Sequence, residues 1–297
     1  MTRKISKEHI DAYKNGIFKK LFEVITEDPE LSFEIRMKNE VMVYYHKDKI
    51  LTTTIKKGKP TITILSDKYY KEEGKNKPTV CFDKEHIDHN LISKTEMRNY
   101  FKEAKKLVYV YKMGAEFSVQ QNIALGNHIY DKDHRFLVVD MEWMYSQAGI
   151  PEDERMKTKT RIDLIIVDTK KGSDGYNDIY LAELKLGLGA TEGKSGTIDH
   201  VIKTNIIIED ERACNSLIED VSTIIVQKEE LGLIKGHKDF HFGKKPKMML
   251  IMFYRGKEEE TKLEEECKKA KQKAFELGME EPLCIKRDAL IKLDYPE

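Results

Sequence analysis

The stretch RIDLIIVDTKKGSDGYNDIYLAELK, residues 161–185, limits most sharply what this chain can fold into. Two short runs, Ile162–Val167 and Ile179–Leu184, flank a polar turn rich in Gly, Asp and Ser. Their length and their Ile, Leu, Val and Tyr content predict two strands of a hairpin. Apolar residues at successive positions predict the middle of a sheet covered on both faces. Charge enters at few places. Asp163 stands near the start of the first strand, and Glu183 and Lys185 end the second. Side chains alternate along a strand, so Glu183 and Lys185 share a face and Leu184 points the other way. A carboxylate and an ammonium inside a covered sheet are costly unless paired or bound to metal. That cost marks these residues as candidates for chemistry.

Asp163 on one strand, with Glu183-Leu184-Lys185 on the next, resembles the PD-(D/E)xK nuclease superfamily, the restriction-endonuclease-like fold. Ile162 stands where the motif's name has proline. Glu-x-Lys alone is uninformative here, because Glu73-Gly74-Lys75, Glu103-Ala104-Lys105, Glu192-Gly193-Lys194 and Glu266-Cys267-Lys268 also fit it. Only Glu183-Leu184-Lys185 closes an apolar strand that follows a strand bearing an acid. Asp168-Thr169-Lys170 competes, but it lies in the polar turn and ranks lower. The plain alternative is a buried Glu183–Lys185 ion pair, with Asp163 as a strand-edge charge.

The resemblance implies metal-dependent phosphodiester hydrolysis of nucleic acid, DNA ahead of RNA, leaving 5′-phosphate and 3′-hydroxyl ends. It implies Mg²⁺, with Mn²⁺ able to substitute, bound by Asp163, Glu183 and the Leu184 carbonyl. Lys185 would orient or deprotonate the attacking water and stabilise developing negative charge. The superfamily often adds an acid from the helix before the sheet. In AEFSVQQNIALGN, Glu116, Gln120 and Ile123 fall on one helical face, so Glu116 is the candidate fourth ligand and Gln120 or Gln121 orients substrate or water. An exposed helix glutamate with two surface glutamines is the equal alternative. The superfamily's company suggests bacterial defence or restriction, and cutting both strands would favour a homodimer. A second class of function stays open: an inactive nuclease-fold module that binds nucleic acid or serves assembly.

After Lys185 comes GLGATEGKSGTIDH, a near miss to a phosphate-binding P-loop. That loop requires Gly-x-x-x-x-Gly-Lys-Ser/Thr; Gly193-Lys194-Ser195 supplies its end, but Leu188 stands at the first glycine. A loop presenting Lys194 and Ser195 to a backbone phosphate is the better functional reading, and a simple connection is the alternative. His200, in the first turn of the next helix, approaches the scissile phosphate or is merely structural. His86-Ile87-Asp88-His89 could bind metal, but a turn leading into a helix is the better reading. His237 and His241 lack the glutamate of a metalloprotease. Lys244, Lys245 and Lys247 form a small basic run, a solvated loop or a phosphate contact.

With 297 residues, the chain has room for one large or two modest domains. Residues 6–27 read as one amphipathic helix, and alternating apolar residues then predict an antiparallel meander. Residues 1–90 are thus expected to be a small α+β domain with a targeting role. Residues 91–297 should form the nuclease-like domain and keep the chemistry alone. From Ser93, periodicity predicts helix, strand, strand, strand, helix, strand, which is the αβββαβ core order of the superfamily, an α/β fold with a mixed central sheet. One helix is expected from Asp199 to about Glu219, then a short strand or helix end at Val221–Val226. The 52 basic and 52 acidic side chains cancel, so any basic surface must be local. No apolar run approaches a membrane span, MTRKISKEH is too polar for a secretory signal, and the four cysteines show no zinc spacing. A cytoplasmic location is the simplest expectation.

Overall fold

The computed structural model describes residues 2–46, 48–64, 93–111, 115–127, 134–145, 147, 161–188, 191, 193, 196–234, 240–243 and 245–288. Its elements run α1 (Lys7–Lys14), α2 (Lys19–Glu27), β1 (Ser32–Arg36), β2 (Glu40–Tyr45), β3 (Asp48–Lys56), β4 (Lys59–Ile64), α3 (Lys94–Tyr111) and α4 (Ala115–Gly126). Then follow β5 (Phe136–Trp143), β6 (Ile162–Lys171), β7 (Asn177–Leu186), α5 (Thr197–Glu209), α6 (Glu211–Glu230), β8 (Lys247–Tyr254), α7 (Lys257–Glu276) and β9 (Leu283–Asp288). Among the described residues no helix is long and apolar enough to cross a membrane.

The chain is an α/β protein of two compact units. Met1–His134 joins Glu219–Lys238 in the first, and Arg135–Ile218 joins Asp239–Glu297 in the second. This division differs from a boundary at residue 90, because α3 and α4 group with the N-terminal sheet. Tyr100 of α3 donates its hydroxyl to the Ile50 carbonyl on β3. The late part of α6 returns to the same unit: the Arg3 N–H donates to Asp220 at 2.6 Å, and Gln227 bonds both polar groups of the Ile5 backbone. Lys228 reaches the buried Glu34 of β1 at 2.9 Å.

The first unit carries the predicted meander, antiparallel in the order β1-β2-β3-β4. Its turns put Lys38, Asn39, His46 and Lys57 at positive φ, as tight hairpins demand. Residues 6–27 form two helices rather than one. The break falls at Gly16, where a Cβ would stand 2.9 Å from the Ala12 backbone and force something to shift. His9 of α1 is fully buried, with its Nε2 3.0 Å from the Thr53 hydroxyl. Ser93 and Glu96 form a reciprocal cap on α3, as the spacing Ser-x-x-Glu requires.

The second unit is a mixed sheet in the order β5-β6-β7-β8-β9, antiparallel from β5 to β7 and parallel from β7 to β9. The α7 stripe Leu263, Cys267, Ala270 and Ala274 packs with Val201 of α5 on Met248, Leu250 and Met252 of β8. In the parallel register Glu183 lies beside Leu250, and Lys185 beside Met252. The charged pair therefore sits on the sheet face covered by α5 and α7. The single helix expected to end near Glu219 is two helices. Asp210 interrupts them, accepting from the Ala213 N–H at 3.0 Å as a cap, and Val221–Val226 is helical.

Candidate active site

The β6–β7 hairpin builds the site. Its ladder pairs Ile165 with Leu181 and Leu164 with Ala182. One step further, the same register sets Asp163 opposite Glu183, on one face. The ladder opens there, and the Leu184 N–H donates instead to Asp163 Oδ2 at 3.0 Å. Strand β6 remains paired to β5 beyond this point, through Leu164 with Met141 and Ile162 with Trp143. That register sets Glu142 opposite Asp163. Backbone register thus sets Glu142, Asp163 and Glu183 level with one another on three adjacent strands, while the positive φ of Glu142 takes its side chain off the strand alternation.

Their environments differ. Glu183 is 1% exposed, and burial pushes its carboxyl up to about 7. His200 pulls it down, the neighbouring Asp163 charge adds to the rise, and Lys185 pulls it down further. Its Oε2 lies 2.9 Å from His200 Nδ1, at ion-pair distance but without hydrogen-bond alignment. Its Oε1 is buried and has no hydrogen-bond partner among the described residues. Lys185 is buried beside it on the same face. His200 reaches Glu183 because it lies in the first turn of α5, whose Val201 packs over this face. Asp140, opposite Ile165, is buried, its Oδ1 taking the Met141 N–H at 2.8 Å. Glu142 pairs with Arg161 and has a backbone φ of 56°.

The structure brings together Asp163, Glu183, Lys185 and His200. Glu116 falls on α4, in the other unit, and its side chain lies outside the described residues. Gln120 and Gln121 are buried in that same unit, and Gln121 donates to the backbone carbonyls of Glu30 and Tyr44. They are built into the packing of α4 rather than exposed on a surface. Lys194 and Ser195 lie outside the described residues, as do Lys244, His237 and the His86–His89 pair. The competing Asp168 is a structural acid at the far end of β6, held by Arg135 at 2.8 Å and by the Lys170 N–H. Arg161 carries no motif signal, and only its position two residues before Asp163 singles it out.

A metal ion is the implied cofactor. Among the described residues no group of three or more His, Cys, Asp or Glu side chains converges closely enough to hold one. Mg²⁺ asks for less, since it keeps several waters and commonly takes one or two carboxylates plus substrate oxygens. Asp163 and Glu183 fit that role. They are oxygen donors on one face, and the unpartnered Glu183 Oε1 is an acceptor that nothing described on the chain satisfies. The Leu184 carbonyl leaves its strand on the same edge as the N–H that meets Asp163. No protein-family model matches the chain, and no curated protein or solved structure matches it significantly.

Proposed function

We propose that the chain is a Mg²⁺-dependent phosphodiesterase acting on nucleic acid, DNA ahead of RNA. The observation that carries the reading is the Asp163–Glu183–Lys185 arrangement. Two carboxylates face each other across an opened ladder, one with a buried oxygen left without a partner, and an ammonium follows two residues later. Buried acids with raised pKa are concentrated at functional sites.

Asp163 and Glu183 would hold the ion, with the Leu184 carbonyl beside them. When bound, Mg²⁺ supplies a water acidic enough to attack at neutral pH and a counter-charge for the phosphoryl oxygens. Lys185 places a positive charge on the face where negative charge develops, and in a buried setting that charge is worth more than in water. His200 restrains the Glu183 carboxylate through Oε2 and leaves Oε1 available. Asp163 is anchored by the Leu184 N–H, the backbone donor next to Glu183.

A second reading has specific support. Glu183, His200 and Lys185 lie together as a largely buried polar cluster, and no third ligand converges among the described residues. In that reading the unit binds nucleic acid or serves assembly without cleaving. Cleavage of end-labelled DNA in Mg²⁺ or Mn²⁺, with Lys185→Met beside the parent, separates the two. The phosphodiesterase loses cleavage on that change while keeping metal and DNA binding. DNA binding with no divalent-dependent cleavage by the parent sinks the proposal.

A further inference from the structure

We propose that Arg161 grips a backbone phosphate of the nucleic-acid substrate, and that Glu142 is the carboxylate it leaves to do so. This rests on the phosphodiesterase reading and adds to it a residue that touches the substrate.

Arg161 stands immediately before β6. It is two positions from Asp163 in the chain, just outside the strand. Its described ionic partner is Glu142, the residue that the β5–β6 register sets opposite Asp163. The pair is lopsided: the arginine side chain is 59% exposed and the glutamate 9%. One end is already at the solvent, and the other is largely buried. The anchor is held in an unfavourable backbone. Glu142 has φ 56° inside a strand, a conformation that costs a non-glycine residue roughly 1–2 kcal/mol. Such residues persist where their surroundings impose them, and they gather at working sites.

The chemistry of the exchange is direct. A guanidinium presents a planar fork of donors that matches a phosphate as well as a carboxylate, and it stays charged at any working pH. A phosphodiester brought to Asp163 and Glu183 arrives within two residues of that fork. Swapping Glu142 for phosphate keeps the guanidinium paired throughout, and the cost of the exchange falls on the Glu142 carboxylate, which loses the arginine. If Arg161 instead only ties the end of β5 to the start of β6, no exchange occurs.

The two possibilities differ in sign for one variant. Binding of a labelled DNA oligonucleotide by the full-length protein is measured by anisotropy over a range of salt, without divalent metal and in Ca²⁺. Glu142→Gln removes the competitor, and the expected result is tighter binding by roughly tenfold. Arg161→Gln should weaken binding by a similar factor and lower the slope of log K against log salt by about 1. The double variant, which buries no lone charge, should bind like Arg161→Gln and guards against misfolding of the single change. Equal or weaker binding by Glu142→Gln, or an unchanged salt slope for both Arg161 variants, overturns the proposal. Cleavage in Mg²⁺, scored in parallel, separates it from the reading beneath it. Parent protein that binds as described yet never cleaves removes the phosphodiesterase and leaves the grip. Parent protein that cleaves, with Arg161→Gln at the parental KM and kcat, removes the grip and leaves the phosphodiesterase. Parent protein that neither binds nor cleaves removes both.

Discussion

Glu183→Gln is the most informative single change, because the two readings of the site predict opposite signs. In the folded protein burial lifts the Glu183 carboxyl to about 7 from a usual value near 4.5. A raised folded pKa means the native state holds the proton longer. The stability this provides is complete below the usual carboxylate value and is lost as pH rises through about 7. At about 1.4 kcal/mol per pH unit, ionising Glu183 costs the fold about 3 kcal/mol by pH 8. Glutamine keeps the shape and never ionises. The variant should match the parent at pH 4 and exceed it by about 3 kcal/mol at pH 8, a gain of roughly 6–12 °C in Tm. Mg²⁺ should narrow the gap by binding only the parent, which gains about 1.4 kcal/mol at tenfold excess over Kd. The assay is urea or thermal unfolding at both pH values, with and without Mg²⁺. A structural Glu183–Lys185 ion pair predicts the reverse, since removing one partner of a buried pair costs about 3–5 kcal/mol. Destabilisation of Glu183→Gln at pH 8, or a difference from the parent that ignores pH, refutes the reasoning.

Three other outcomes follow from the first unit. Lys228→Met strands the Glu34 carboxylate, 4% exposed, with the Ser32 hydroxyl as its remaining described partner, and should cost about 3–5 kcal/mol in unfolding free energy; adding Glu34→Gln should restore most of it. Burial lowers the His9 pKa to about 4, so the neutral ring is needed, and stability should fall by about 3 kcal/mol as pH drops from 6.5 to 4, with His9→Gln flattening that slope in pH-dependent unfolding. Deleting residues 1–90 removes β1–β4 and the partners of α3 and α6, so circular dichroism and limited proteolysis should show α3 and the end of α6 unfolded; a cooperative unfolding transition with intact helicity would contradict the division into units.

The local elements were legible because their information is local. Alternation at Phe33, Ile35, Val41 and Val43 marks the meander, and helical spacing of Leu263, Cys267, Ala270 and Ala274 is the corresponding signal in α7. Helix breaks were less legible. The apolar period runs unbroken past Gly16 and past Asp210, and what ends each helix is a backbone approach or a cap. The Asp163–Glu183 alignment could be anticipated because hairpin strands carry their register in adjacent sequence. Alternation along FLVVDMEW puts Asp140 and Glu142 on one face beside the hairpin, but setting Glu142 level with Asp163 depends on a bulge between Val138 and Asp140 that slides β5 along β6. The return of α6 to the first unit was hidden for another reason. Arg3 and Asp220 are 217 residues apart, and no periodicity spans such a distance.

That return also sets an order of events in the cell. Ribosomes add on the order of 5–20 residues each second, so Asp220 is made on the order of ten to forty seconds after Arg3. During that interval the N-terminal meander waits without its last helix, and Glu34 has no lysine. The second sheet, whose first three strands lie between the two halves of the first unit, can begin to pair while the earlier unit is still open. Neither unit can therefore finish strictly before the other begins, and the nascent chain carries an unfinished apolar surface that its own later residues must close.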